Sequence, residues 1–314
     1  PELRSLVAQH YSKNTGVKTK EENIAITAGA NQAFYLALQT VTNPGDEVAL
    51  FRPYYFNQKM AVEMSGCRCV FLPRLKSGLP SVDAIRSALE GGVSAVAMVS
   101  PDNPTGVVHP PSLQREIAHL CKEHDAWLIS DEVYEDFVYE GEHRSPVSFG
   151  PDHVITLHSL SKSFGLSGWR VGHARIPSSL LDGMLKAQDT LAICTNHLAQ
   201  RVAMECIVHG KRELNEEVKR LGGVRTHLME SLSDLKGVSF YQPHGAFYLY
   251  LLLKTNRTGW EVARHLASEY SLGTAPGEPF GDKTPALRIS YGNLSDDLLE
   301  KATSRLVAGI REVV

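Results

Sequence analysis

Residues 94–137 read SAVAMVSPDNPTGVVHPPSLQREIAHLCKEHDAWLISDEVYEDF, and this stretch decides the fold. Two nearly continuous apolar runs, SAVAMVS and AWLIS, flank a helix-length segment, Pro111–Glu123. Strands apolar on both faces belong to a parallel sheet covered by helices on either side. Working outward, the same rhythm runs from about Glu22 to Pro177. The expected strands are Ile24–Thr27, Glu47–Phe51, Arg68–Leu72, Ala95–Val99, Trp127–Ser130 and Val154–His158, with helices at Asn31–Val41, Tyr54–Met64 and Pro111–Glu123. Such alternation specifies an α/β architecture with a mostly parallel sheet.

After Pro177 the pattern changes. Residues 178–210 read as one or two long helices, followed by a charged helix, KRELNEEVKRLGGVRTHLMESL. Strand-like VSFYQ, AFYLYLLL and ALRISYG follow, with a helix near Glu261–Tyr270 and a last one at Asp296–Val313. The expected division is a large domain over residues 14–185 and a linking helix plus smaller α+β domain over 186–314. Residues 1–13 form a helix ahead of both.

Composition agrees with this. At 314 residues, a prior of ~150 residues per domain gives about two domains. The chain is 43% hydrophobic and 21% charged, which excludes disordered, collagen-like and coiled-coil classes. A net charge of −3 implies no basic face, so no nucleic-acid partner is expected. No apolar run reaches the ~18 residues of a membrane span, and no membrane association is expected. Cys67, Cys69, Cys121, Cys194 and Cys206 are too few and scattered for a disulfide framework, and they read as reduced thiols, mostly in the core. Cys67 and Cys69 lack a second pair of ligands, so no metal site is expected.

The chemistry concentrates in SLSKSFGLSGWRVG, residues 159–172. Lys162 sits just past a strand end, where open α/β sheets place ligands. A partly deprotonated lysine there can form a Schiff base with a carbonyl cofactor. Ser159, Ser161 and Arg170 offer hydroxyls and a forked guanidinium suited to a phosphate dianion. Alone, the motif reads as an exposed loop. Upstream, Asp131 and Tyr134 follow another strand. Asp131 can pair with a protonated pyridine nitrogen and Tyr134 can donate to a ring oxygen; alternatively they are a helix cap and a core tyrosine. Asn103, in NPTG, stands at a strand mouth where its amide reaches a ligand. Gly29, Ala30 and Asn31 let backbone N–H groups at a helix start approach a phosphate. Tyr54 or Tyr55 could stack on a flat ring. Arg288, mid-strand in ALRISYG, is a candidate to grip a substrate carboxylate.

Taken together, PELR, TAGANQA, PYY, NPTG, DEVY, SxSK with Arg170 eight residues on, GAFY, APGEPFG and LRISYG resemble, in order and spacing, the class I and II aminotransferases of fold type I. The resemblance covers essentially the whole chain. It implies pyridoxal 5'-phosphate as cofactor and Lys162 as Schiff-base lysine and proton shuttle. It further implies that Asp131 pairs the pyridine nitrogen, that Asn103 and Tyr134 contact the ring hydroxyl, and that Tyr55 stacks on the ring. Gly29, Ala30, Asn31, Ser159, Ser161 and Arg170 would then cradle the phosphate, and Arg288, with Asn103, would bind substrate. The implied reaction moves an amino group from an L-amino acid to a 2-oxo acid by a ping-pong mechanism, in a homodimer. PYYFNQKMA, KAQDTLAIC and GAFYLYL look like the group acting on aromatic amino acids and methionine, and no second arginine stands out for an acidic side chain.

The family also has several dozen residues ahead of PELR, including an arm over the active site and a tyrosine that reaches the partner's phosphate site. They precede Pro1. If the gene product itself is short, substrate closure and contacts shared across a dimer are affected. The alternatives are a β-lyase on the same cofactor, a weakly active or inactive homologue, and a nicotinamide enzyme, the last opposed by the lack of G-x-G-x-x-G. His158 reads as a packing residue, and His244 is undecided. The cytoplasm is the default compartment.

Overall fold

Buried β-branched and small apolar residues build the central sheet. A computed structural model describes all 314 residues. Seven strands, β1 (Ile24–Thr27), β2 (Glu47–Phe51), β3 (Arg68–Leu72), β4 (Ala95–Val99), β5 (Trp127–Asp131), β6 (Val154–Ser159) and β7 (Gly172–Arg175), form one sheet in the order β1-β7-β6-β5-β4-β2-β3. All five residues of β4, an unbroken apolar run, and all six of β6 are buried, as expected when helices cover both faces. The pairs β2–β3, β2–β4, β4–β5 and β5–β6 are parallel, whereas β7 runs antiparallel between β1 and β6.

The helices begin with α1 (Glu2–Thr15), α2 (Ala30–Val41), α3 (Phe56–Met64), α4 (Val82–Glu90), α5 (Pro111–Glu123), the four-residue α6 (Leu160–Ser163) and α7 (Leu181–Ala192). There follow α8 (His197–His209), α9 (Lys211–Ser233), α10 (Gly259–Tyr270) and α11 (Asp296–Arg311). Strands β8 (Val238–Phe240), β9 (Tyr248–Leu253), β10 (Ala275–Pro276) and β11 (Ala286–Ser290) make a second, antiparallel sheet in the order β10-β11-β9-β8. Leucines of α9, including Leu221, Leu228 and Leu232, pack with Leu249, Leu251 and Leu287 from this sheet.

The expected strands are present, with β5 and β6 each one residue longer, so Asp131 and Ser159 are their last members. The expected helix over Tyr54–Met64 begins at Phe56, leaving both tyrosines in extended approach. Besides the four-residue α6 and the two-residue β10, two elements were not anticipated. One is α4, capped where Ser81 accepts from the Ala84 N–H. The other is β7, whose GHAR sequence hides a strand behind polar residues. Arg175 is nonetheless buried, because its guanidinium donates to the Pro151 and Val154 carbonyls (2.6 and 3.4 Å). The thiols also depart from expectation: only Cys67 and Cys121 are buried, and Cys194 is exposed.

Candidate active site

Parallel strands carry their C-terminal ends to one edge, and β4, β5 and β6 deliver Val99, Asp131 and Ser159 there. A cleft of about 250 Å³ opens at this edge. Ala30, Asn31, Tyr55, Asn103, Asp131, Tyr134, Ser159, Ser161, Lys162, Arg170 and Arg288 all line it. Gly29, one residue before the first turn of α2, stands behind the lining against Arg170. Residues from Ala30 to Arg288 therefore converge on one cavity. Tyr54 points elsewhere, stacked on Phe71 at 5.0 Å. His244 lies outside the cleft, near Glu140 at 3.9 Å.

Asp131 is buried, and its hydrogen-bond partners are neutral. Gln58 Nε2 donates to Oδ2 (3.1 Å) and the Val133 N–H donates to Oδ1 (3.3 Å). Burial, the main cause, pushes its carboxyl up to about 6, against the opposing pull of those two donors. A carboxylate so placed has no cation in hydrogen-bond contact, and a protonated ring nitrogen is a fitting one.

Lys162 Nζ lies 5.6 Å from the Phe247 ring centroid and 6.0 Å from that of Tyr134. Burial first, then the charges of Arg288 and Arg170, lower its pKa. A larger share of neutral amine results, as a nucleophile and base need. Tyr134 and Tyr248 share a hydrogen bond between hydroxyls of 2.5 Å.

At the other end, Arg170 adopts φ +54° and donates to the carbonyls of Ser167 (2.8 Å) and Ala28 (3.0 Å). These bonds lay its guanidinium across the start of α2, where backbone N–H groups are unsatisfied. The Ser159 hydroxyl donates to Ser161 Oγ (2.9 Å) and accepts from the Ser161 N–H (3.2 Å). Helix N-terminus, hydroxyls and guanidinium together form an anion cradle. On the opposite side, Arg288 Nη1 donates to Asn103 Oδ1 (2.9 Å), tying the small sheet to the large one.

Glu132, Glu135 and His158 bring donor atoms within 4.8 Å of one another. Each is engaged by a neighbour: Ser145 donates to Glu132 (2.9 Å), His143 lies 3.4 Å from it, and His158 Nδ1 meets Glu135 at 2.7 Å. The group is a hydrogen-bond network.

The family model for class I and II aminotransferases matches residues 1–306. The chain belongs to the class I and II aminotransferases. Aromatic aminotransferase ISS1 of Arabidopsis thaliana is 34% identical over 325 residues, covering 100% of this chain and 81% of that protein. The aspartate/prephenate aminotransferase of Thermus thermophilus is 31% identical over 314 residues, covering 97% and 80%. Among solved structures, a double mutant of Thermus thermophilus aspartate aminotransferase superposes with a TM-score of 0.92 at 30% identity, covering 98% of this chain and 81% of that one.

Membership makes this aminotransferase dependent on pyridoxal phosphate, and its substrates are an amino acid and a 2-oxo acid. The cradle fits that cofactor: a buried carboxylate hydrogen-bonded only by neutral donors lies at one end and anion donors lie at the other. The fold is that of a fold type I aminotransferase, and none of its helices is long and apolar enough to cross a membrane.

Sequence reading gave no role to Gln58 and Tyr248. Gln58 lies three residues after Tyr55, the spacing at which helical side chains share a face, and that signal was available. Tyr248 stands in the quoted GAFY, but only the fold brings it to Tyr134.

Gly29 offers a direct check of the cradle. It holds φ +86°, and an added Cβ would lie 2.6 Å from Arg170 Nη2. Strain of about 1–3 kcal/mol in Gly29→Ala should weaken cofactor affinity by roughly 5- to 150-fold. Titration with pyridoxal phosphate followed by visible absorbance measures this; unchanged affinity would remove Gly29 from the cradle.

Proposed function

We propose that this aminotransferase takes the amino group of an aromatic or methionine-like L-amino acid and passes it to a 2-oxo acid in two half-reactions at one cleft, with ping-pong kinetics. The observation carrying the substrate class is the setting of Arg288. Its guanidinium carbon lies 4.5 Å from the Tyr248 ring centroid and 5.0 Å from that of Phe280, and its Nε has no partner. Arg288 therefore lies against two aromatic rings with donors to spare, suited to a substrate α-carboxylate next to an apolar side chain. The only other arginine lining the cleft is Arg170, at the phosphate end. No third one remains there for an acidic side chain.

In this reading pyridoxal phosphate, when bound, supplies the ring into which the electrons of the substrate Cα–H bond delocalise. The chain's residues do the rest. Arg170, Ser159, Ser161 and the start of α2 hold the phosphate, with Gly29 leaving room for Arg170. Ala30 and Asn31 contribute that helix start. Tyr55 lies against the ring, and Asp131 keeps a proton on the ring nitrogen. Asn103 and Tyr134 hold the ring oxygen, while Arg288 and Asn103 orient the substrate. Lys162 Nζ binds the cofactor and moves the proton at the substrate Cα. A homodimer is part of the proposal. Trp169, Ile193 and Leu198 are 44%, 78% and 64% exposed beside the Arg170 end, an apolar surface for a second copy.

The test is the ratio of kcat/KM for phenylalanine, tyrosine and methionine to that for aspartate. A ratio well above one is expected, and a preference for aspartate would overturn the substrate class. Arg288→Leu removes a charged hydrogen-bond donor contributing about 1.5–3 kcal/mol, so kcat/KM should fall by roughly 10- to 150-fold. Sedimentation of the purified chain reads the dimer.

A further inference from the structure

The two segments that carry the reacting groups, 131–136 and 158–163, touch on the side facing away from the cleft. Asp131 and Tyr134 lie on the first, and Ser159, Ser161 and Lys162 on the second. Lys162 rides on α6, a helix of one turn that makes little rigid structure of its own. Its two flanks are nevertheless tied down. His158 Nδ1 meets Glu135 Oε1 at 2.7 Å, and the Ser163 hydroxyl donates to Asp136 Oδ2 at 2.6 Å. Lys162 therefore lies between two attachments, four residues after the first and one before the second. Both reach the residues that directly follow Tyr134.

The first attachment is itself fixed. His158 Nε2 meets Thr156 Oγ1 at 3.0 Å, and the Tyr11 hydroxyl meets the same oxygen at 2.9 Å. The His158 ring stacks on His173 at 4.7 Å and 11°, and its side chain is 3% exposed. Burial disfavours a charge on His158, yet Glu135, with Glu132 and Asp131 beyond it, carries its pKa up to about 9. The titratable groups around it are thus Glu132, Glu135, Asp131 and Asp136 from the first segment, Tyr11 and His10 from α1, and His173 from β7, and burial keeps Tyr11 and His173 neutral. An imidazolium–carboxylate bond in this setting is charge-assisted and stronger than a neutral one. Behind the clips lies a separate cavity of about 160 Å³ lined by Glu135, Asp136, His158, Ser163 and His173, while Leu160 anchors the start of α6 in the core.

We propose that Glu135 and Asp136 are positioning residues, a double clip that holds the Lys162 turn in register with Asp131 and Tyr134. The inference rests on the reading of Lys162 and Asp131 given above. The clip does not touch substrate, and it sets where Nζ stands relative to the ring pocket.

Two measurements on Glu135→Gln/Ser163→Ala test it. The first needs no cofactor: hydrogen exchange of backbone amides 160–164 in the full chain. The clip predicts exchange at least about tenfold faster than in the unmodified chain, with amides of β4 and β5 unchanged. Equal exchange overturns the clip whatever the chain catalyses. The second reads function after loading with pyridoxal phosphate: kcat should fall about tenfold or more with KM for the amino acid within a factor of about two, and the visible band of the bound cofactor should shift. Glu135→Asp, which keeps the carboxylate, should recover part of kcat. A uniform loss of thermal stability with the cofactor band unmoved would make the clip a purely structural contact and overturn the proposal. Failure of the aminotransferase reading itself shows separately, as absence of amino transfer in the unmodified chain.

Discussion

Replacing Lys162 by alanine is expected to abolish covalent attachment of pyridoxal phosphate and to cut amino transfer by roughly 10²- to 10⁴-fold, the contribution of a positioned acid–base group. Both losses follow from one atom. Nζ projects into the cleft beside Tyr134 and Phe247, and burial together with Arg288 and Arg170 lowers its pKa. Lys162→Arg should fail as well, because a guanidinium stays charged at any working pH. Borohydride reduction followed by intact mass reads the attachment, and amino acid turnover reads the transfer. Turnover retained in the alanine variant would sink the assignment of Lys162.

Asp131→Asn should lower kcat by roughly 10²- to 5 × 10³-fold while the phosphate end still holds the cofactor, since removing one partner of a buried charge pair costs about 3–5 kcal/mol. Single-turnover absorbance with an amino acid checks this, and a wild-type rate would take the ring-nitrogen role from Asp131. The same variant has a signature without cofactor. Burial raises the Asp131 carboxyl from 3.8 to about 6 in the folded chain. Between those values the folded state binds a proton that the unfolded state has released. Stability should therefore fall as pH rises through about 4 to 6, by up to about 3 kcal/mol, and Asp131→Asn should remove that fall. Denaturant unfolding of the cofactor-free chain across this range measures the slope, and equal slopes in the two chains would contradict a buried, proton-holding Asp131.

Much of this was legible in the sequence because parallel strands advertise themselves. SAVAMVS and AWLIS are apolar on both faces, and the ends of such strands fix where Asp131 and Ser159 stand. Strand β7 was not legible, since Arg175 is buried only because two carbonyls from a loop and a neighbouring strand receive it. Helix α4 was missed although Ser81 is a standard cap residue, its nine residues being short between a turn and a Gly-Gly stop. Cysteine burial failed for a related reason: composition marks thiols as core residues, but position along an element decides exposure.

For the site, local order and spacing determined the residue types: a lysine after a strand, a carboxylate and tyrosine after another, an arginine eight positions on. These carry chemistry because strand ends and helix starts leave backbone groups and side chains facing one edge. Only the tertiary structure decided the pairings across long separations. Gln58 reaches Asp131 over 73 residues, Tyr134 reaches Tyr248 over 114, and Arg288 reaches Asn103 over 185. So too with the clip, where Glu135 finds His158 and Asp136 finds Ser163 across neighbouring strand ends. Periodicity and propensity act over a few residues, so sequence alone determines elements and the chemistry they carry. Which of those groups meet depends on sheet order and on how the small sheet docks, and neither is encoded within any one segment.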